Sequence, residues 1–177
     1  MADEQPPGPR VEGRIREDFD VFFERERKKM IGLAYALSGS GIAAEDLAQE
    51  AFVAAYRRWD VVAALDQPEG WVRKVVANNS WSWLRRRKAE SRAVVKAVAR
   101  GGWPTQPSDL PSDSEELWCE VRKLPRRQAQ CVALYYVLDL TMPEIAETLG
   151  CSKATVNTHL RRAKETLVDR LEPGRET

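Results

Sequence analysis

Histidine and cysteine are scarce in this chain of 177 residues, and their scarcity closes off much of enzymology. A single histidine, His159, leaves no partner with which to assemble a histidine-based catalytic constellation. Cys119, Cys131 and Cys151 are odd in number and form no C-x-x-C pair. They therefore predict neither a disulfide framework nor a zinc site and read as small core hydrophobes, and no metal or other cofactor is expected. No apolar run is long enough to span a bilayer, and the opening M-A-D-E-Q-P-P-G-P-R lacks the apolar segment of a signal peptide. A soluble cytoplasmic protein without a membrane partner is expected. Internal repeats and strand-type alternation are missing too. Nor is there an excess of one charge: 28 basic residues against 27 acidic ones give a net charge of +1. A protein that grips duplex DNA unaided usually carries a large basic surplus, because its affinity comes from neutralising phosphates. Here the charge is segregated instead, with a basic run at Arg85, Arg86, Arg87 and Lys88 and an acidic stretch at Asp109, Asp113, Glu115 and Glu116. That pattern suits partners of more than one kind.

What is present is clearest from Thr141 to Leu171, where T-M-P-E-I-A-E-T-L-G-C-S-K-A-T-V-N-T-H-L-R-R-A-K reads as two helices joined by a tight turn. Thr141 and Glu144 have capping-box spacing, with Pro143 in the first turn. Ile145, Ala146 and Leu149 line one face. Gly150 can take the positive φ that ends a helix, Ser152 can cap the next, and Val156 and Leu160 turn back toward the first. These are the requirements of a helix-turn-helix: a close crossing, a sharp turn and a buried anchor. Outward on the second helix stand Asn157, Thr158, Arg161 and Arg162. Asparagine can pair bidentately with adenine and arginine with guanine, while Lys153 and Thr155 at the helix start suit phosphates. The plainer alternative is a helical hairpin with a solvated basic face.

Elsewhere the pattern is helical throughout, which predicts an all-α fold in two lobes. Residues 1–13 are rich in proline, glycine and charge and read as a disordered tail. Phe19, Phe22, Phe23, Met30, Leu33, Ala34 and Leu37 recur at helical spacing until S-G-S-G at Ser38 to Gly41 breaks it. A second helix, Ala43 to Trp59, buries Leu47, Ala51, Phe52, Ala55 and Trp59, and a third runs from Glu69 to Lys88. The proline- and glycine-rich stretch 89–113 is too long for a loop inside one compact domain and reads as a linker. After it, Leu117, Trp118, Val121 and a helix from Pro125 to Leu138 are expected to pack against the helix-turn-helix, ahead of a short tail at 172–177.

Two faces of the first lobe carry chemistry. Asp46, Gln49 and Glu50, at i, i+3 and i+4, form an acidic patch apart from the apolar stripe. Either a basic partner or only solvent faces it. On the third helix, Lys74, Asn78, Trp81, Arg85 and Lys88 repeat at i, i+4, i+7, i+11 and i+14, setting an aromatic ring among cations as single-stranded nucleic acid requires. Trp71, Val72, Val75, Val76 and Trp83 cover the core-facing side. Trp81 has a second reading, as a packing residue beneath the linker or the preceding helix.

The motifs A-E-D-L-A-Q-E-A-F-V-A-A-Y-R-R-W (Ala44 to Trp59), G-W-V-R-K-V-V-A-N-N, L-R-R-R-K, L-P-R-R-Q, E-I-A-E-T-L-G and T-V-N-T-H-L-R-R-A-K stand in this order. The chain from Asp18 to Leu171 thereby resembles bacterial sigma factors of the extracytoplasmic-function type. The resemblance implies an RNA polymerase subunit, not an enzyme and without a small-molecule substrate. It would have a region 2-like domain at 14–88 and a region 4-like domain at 114–171. By that similarity Asp46, Gln49 and Glu50 would meet the coiled coil of the largest subunit of core RNA polymerase. The loop from Val61 to Glu69 and the helix with Asn78 would read and melt the −10 element of promoter DNA, and Asn157, Thr158, Arg161 and Arg162 would read the −35 element. An anti-sigma factor is a further partner that the resemblance allows. Trp81 and Trp83 depart from the family, in which these positions are often polar or charged, and leave the −10 bases unassigned. The competing reading is a stand-alone regulator that binds a palindrome as a dimer.

Overall fold

The computed structural model describes residues 17–97 and 112–171, which form eight helices with no strand among them. The expected tails and most of the linker (98–111) lie outside the described residues. Among those described, no helix is long and apolar enough to cross a membrane.

Helix α1 (Phe19–Ser38) starts where the Asp18 carboxylate accepts the Asp20 N–H at 2.9 Å, and it stops at Gly39. Gly39 has φ +75°, a left-handed conformation that lets its N–H reach the Tyr35 carbonyl at 2.8 Å. Ser40 then caps α2 (Gly41–Tyr56). The second helix ends three residues earlier than its apolar pattern, at Tyr56, and a separate single turn, α3 (Trp59–Val62), carries Trp59. That break lets the indole tilt into the aromatic cluster: its ring lies 4.9 Å from Phe22 and 5.2 Å, edge-on, from Phe19. Helix α4 (Pro68–Ala97) begins on a proline suited to a first turn and runs past Lys88, because A-E-S-R-A-V-V-K-A contains neither glycine nor proline. Phe22, Leu33 and Leu37 of α1, Leu47 and Ala51 of α2 and Val72 and Val76 of α4 close the core of this first lobe.

The second lobe comprises α5 (Ser112–Val121), α6 (Arg126–Leu138), α7 (Met142–Leu149) and α8 (Lys153–Leu171). Val121, Leu124, Cys131, Leu134, Ile145, Leu149, Val156 and Ala163 are among its buried residues. Two expectations fail here. Leu117 is left exposed on the rim of an apolar groove, and of the three cysteines only Cys131 is buried, Cys151 being half-buried and Cys119 exposed. Burial pushes the Cys131 thiol up to about 12, so it stays a protonated packing group.

The lobes share one continuous apolar core, with α1 lying along α6 and α4 against α7. The buried positions of α1 spread over about half its circumference, enough to serve two neighbours. Gly32 permits the approach: a Cβ there would lie 3.5 Å from Val137 Cγ1.

Candidate nucleic-acid interface

Around the helix-turn-helix, local chemistry dictates geometry. The Thr141 N–H and hydroxyl both donate to Glu144 Oε2, at 2.8 and 2.6 Å, in the capping box at the start of α7. The Thr141 hydroxyl is also the main reason the Glu144 carboxyl is held below its usual range, with its N–H next and the Arg73 guanidinium adding to them. Gly150 closes α7 at φ +66°, and the Cys151 N–H reaches back to Ala146 O at 2.9 Å. Ser152 Oγ accepts the Thr155 N–H at 3.1 Å and opens α8. Val156, fully buried, anchors α8 against α7.

This fixes the azimuth of α8. With Val156 and Ala163 inward, the outward stripe comprises Ala154, Thr158, Arg161 and Glu165, flanked by Asn157 on one side and Thr155 and Arg162 on the other. Lys153, Asn157, Arg161 and Arg162 are exposed, whereas Thr155 and Thr158 are half-buried and Thr158 spends its proton on the Ala154 carbonyl at 2.9 Å. Arg161 pairs with Glu165 at 2.7 Å, and both side chains are more than half exposed, so a ligand can displace the contact at small cost. His159 is half-buried; burial, then Arg127 and Arg162, lower its pKa and favour the neutral ring.

Asp46, Gln49 and Glu50 all face solvent on α2. Around them stand side chains that charge patterning alone does not bring out: Ile42 (67% exposed), Val53 and Tyr56 (65%). The face is acidic and apolar together. Trp83, Arg86 and Arg87 of α4 border it across a shallow depression shared with Asp46 and Glu50.

The α4 stripe is present but not free. Lys74 and Arg85 are exposed, and Trp81 is half-buried, packed against the core. Asn78 Oδ1 accepts from Gln130 Nε2 at 3.3 Å and from the Arg126 guanidinium, both on α6. Lys88 Nζ donates to Arg122 O at 2.8 Å. Lys74 Nζ lies 3.9 Å from where a Cβ on Gly150 would sit. The residues missed from sequence are therefore Arg122, Arg126 and Gln130, which tie the second lobe to this stripe. Gln130 carried the one available signal, a polar side chain in the apolar run A-Q-C-V-A-L.

Comparisons with known proteins agree with these two units. Residues 22–90 match the family model for sigma-70 region 2, and residues 114–167 match that for sigma-70 region 4. The chain is 32% identical over 149 residues to the probable RNA polymerase sigma factor RfaY of Xanthomonas campestris, covering 78% of this chain but only 36% of that one. It is 27% identical over 155 residues to the RNA polymerase sigma-E factor of Streptomyces avermitilis, covering 88% of this chain and 86% of the relative. With the extracytoplasmic-function sigma factor SigW of Bacillus subtilis the identity is 26% over 153 residues, covering 80% and 82%. Among solved structures, the sigma factor RpoE in complex with the anti-sigma factor NepR, from Bartonella quintana, shares the fold with a TM-score of 0.68 at 21% identity, over 89% of this chain and 98% of that one. CnrH in complex with the cytosolic domain of CnrY does so at 0.62 and 18%, over 88% of each.

Proposed function

Since the chain belongs to the extracytoplasmic-function sigma factors of the sigma-70 family, we propose that it binds core RNA polymerase and directs it to promoters through three separate faces. The observation that carries this reading is the pairing of a complete, capped helix-turn-helix with an acidic and apolar face on the other lobe. One chain thus offers surfaces of opposite character to DNA and to a protein partner. On α2, Asp46, Gln49 and Glu50 meet basic groups of the polymerase while Ile42, Val53 and Tyr56 supply apolar contact. On α8, Asn157, Thr158, Arg161 and Arg162 read base edges of the −35 element in the major groove, and Lys153 and Thr155 hold phosphates near the helix start. On α4, Lys74, Arg85 and Lys88 follow the backbone of the opened −10 strand, with Asn78 and Trp81 for its bases. The near-neutral net charge fits this division, because polymerase contributes much of the electrostatic grip.

The role is one of binding and positioning, exercised in the cytoplasm where polymerase and chromosome meet, and we assign the chain no catalytic step and no cofactor. An anti-sigma factor is a further partner in this proposal, supported by the two structural neighbours, each solved with such a protein or with a partner's cytosolic domain. Reconstitution with core polymerase and sequencing of transcript 5′ ends tests the proposal. A shared pair of elements upstream of the start sites is expected. Tight binding of a palindrome by the protein alone would instead favour a dimeric regulator.

A further inference from the structure

We propose that His159 is a proton-linked phosphate contact on the flank of α8: once protonated it joins Arg127 and Arg162 in holding the DNA backbone, so that binding of duplex DNA takes up a proton. The inference rests on the assignment of α8 to promoter DNA made above.

Position and chemistry point the same way. Thr155, His159 and Arg162 stand at i, i+4 and i+7 and so share one side of α8, next to the outward stripe. From α6, Arg127 donates to Leu149 O at the end of α7, at 3.3 Å, and it is close enough to act electrostatically on His159, as Arg162 is. Both arginines are exposed. Unlike Arg161, which Glu165 balances, neither is paired with a carboxylate among the described residues. The half-buried ring has one nitrogen in and one out. Nδ1 is buried without a partner, whereas Nε2 has neither that burial nor a bond to a described residue, so it is the nitrogen that a phosphate oxygen can reach. Gln128, which follows Arg127 on α6, has its Oε1 buried without a partner as well, an acceptor of the kind an Nδ1–H needs.

In the free chain burial, then Arg127 and Arg162, hold the ring below its ordinary pKa and keep it neutral. A phosphate beside these groups offsets the arginines and accepts from Nε2, which favours the imidazolium. The bound pKa therefore lies above the free one. Affinity is greatest below the free value and falls as pH rises through the interval between the two, about tenfold for each pH unit between them. Of the elements packed around the ring, α6 contributes Arg127 and Cys131, the turn Cys151, α8 Lys153, Arg162 and Glu165, and α7 Glu144 and Glu147. The carboxylates are placed elsewhere: Glu144 is bound by Thr141, Glu165 by Arg161, and Glu147 is exposed. Because His159 is the chain's only histidine, a proton taken up between about pH 5.5 and 7 has one side chain to go to.

The test titrates the full-length chain with a fluorescein-labelled duplex of random sequence at one low ionic strength, since a phosphate contact carries no sequence information. A single imidazole C–H resonance reads the pKa of His159 with and without the duplex. The expected results are a pKa that rises on binding and an affinity about tenfold greater at about pH 5.5 than at about pH 7.5, the ratio that a rise of about 1 produces. Salt dependence should be steeper at the lower pH by about 0.9 in log–log slope, the mark of one more phosphate neutralised. His159→Gln should bind at every pH as the native chain does at the higher one, and His159→Arg, a permanent cation, should bind tightly throughout. A ring pKa that the duplex leaves unmoved, or a pH dependence that survives in His159→Gln, overturns the link; the resonance is read on the native chain and needs no variant to fold. Lys153→Ala separates the premises: weaker binding with an unmoved His159 overturns the link alone, whereas undiminished binding means that α8 is not the DNA face and both readings fall.

Discussion

Removing the indole of Trp81 should damage promoter opening and stability to separable degrees. The structure leaves this residue half-buried against the core, so it has an apolar half and a half that solvent or a base can reach. Truncating a fully buried tryptophan costs about 3–5 kcal/mol, and a half-buried one about half as much, roughly 1.5–2.5 kcal/mol. For a chain of this size that lowers Tm by about 3–10 °C, at about 2–4 °C per kcal/mol. Stacking of one unpaired base on the exposed half is worth about 1–3 kcal/mol, or roughly 5- to 150-fold in the opening equilibrium. Permanganate footprinting of Trp81→Ala holoenzyme on matched duplex and pre-melted templates reads the second quantity, and a thermal melt of the variant reads the first. The expected result is a strong defect on duplex DNA, near-normal transcription from the bubble and a modest drop in Tm. Equal defects on both templates with a larger drop in Tm would show that Trp81 is packing alone.

Reversing Asp46 and Glu50 to lysine should weaken capture of core polymerase in a pull-down while leaving Tm unchanged, since both side chains are exposed; undiminished capture would reduce the face to solvated surface. Arg161→Ala or Asn157→Ala should each cost about 1–3 kcal/mol of discrimination at one −35 base pair, whereas Lys153→Ala should weaken all sequences alike, as mobility shifts of holoenzyme on single-base promoter variants will tell. The depressed pKa of Glu144 means that its cap stabilises the fold above the ordinary carboxylate range and is lost as pH falls through the lower folded value. Urea melts should therefore show Thr141→Ala to be destabilising at neutral pH and nearly silent in strong acid. A constant difference across that range would mean the cap is not what lowers the pKa.

The helix-turn-helix was legible because its determinants are local. Thr141, Glu144, Gly150 and Ser152 act within three or four residues of themselves, and the structure uses each as its spacing requires. The aromatic and aliphatic repeat of α1 was legible for the same reason. Contacts between segments distant in the chain were not. Gln130 bonds to residues more than fifty positions away, and no periodicity announces such a partner. Exposure of Ile42, Val53 and Tyr56 was hidden by the one-way nature of the hydrophobic rule, under which an apolar residue belongs inside but is not obliged to be there. The length of α4 was underestimated because a linker was inferred from the prolines beyond it, although the residues just after Lys88 are themselves good helix formers.

Ionic strength should act on α8 less strongly than its cations alone imply. A cation that neutralises a phosphate releases condensed counterions and steepens the salt dependence of binding, by about 0.9 in log–log slope for each phosphate neutralised. Arg161, at the centre of the outward stripe, is already balanced by Glu165. In the proposed reading of the −35 element it would exchange a carboxylate for a base edge, and the carboxylate left behind would lie close to the phosphates and oppose them. Under that proposal the pair would shift α8 from indiscriminate attraction toward contacts that only the right base pair can repay.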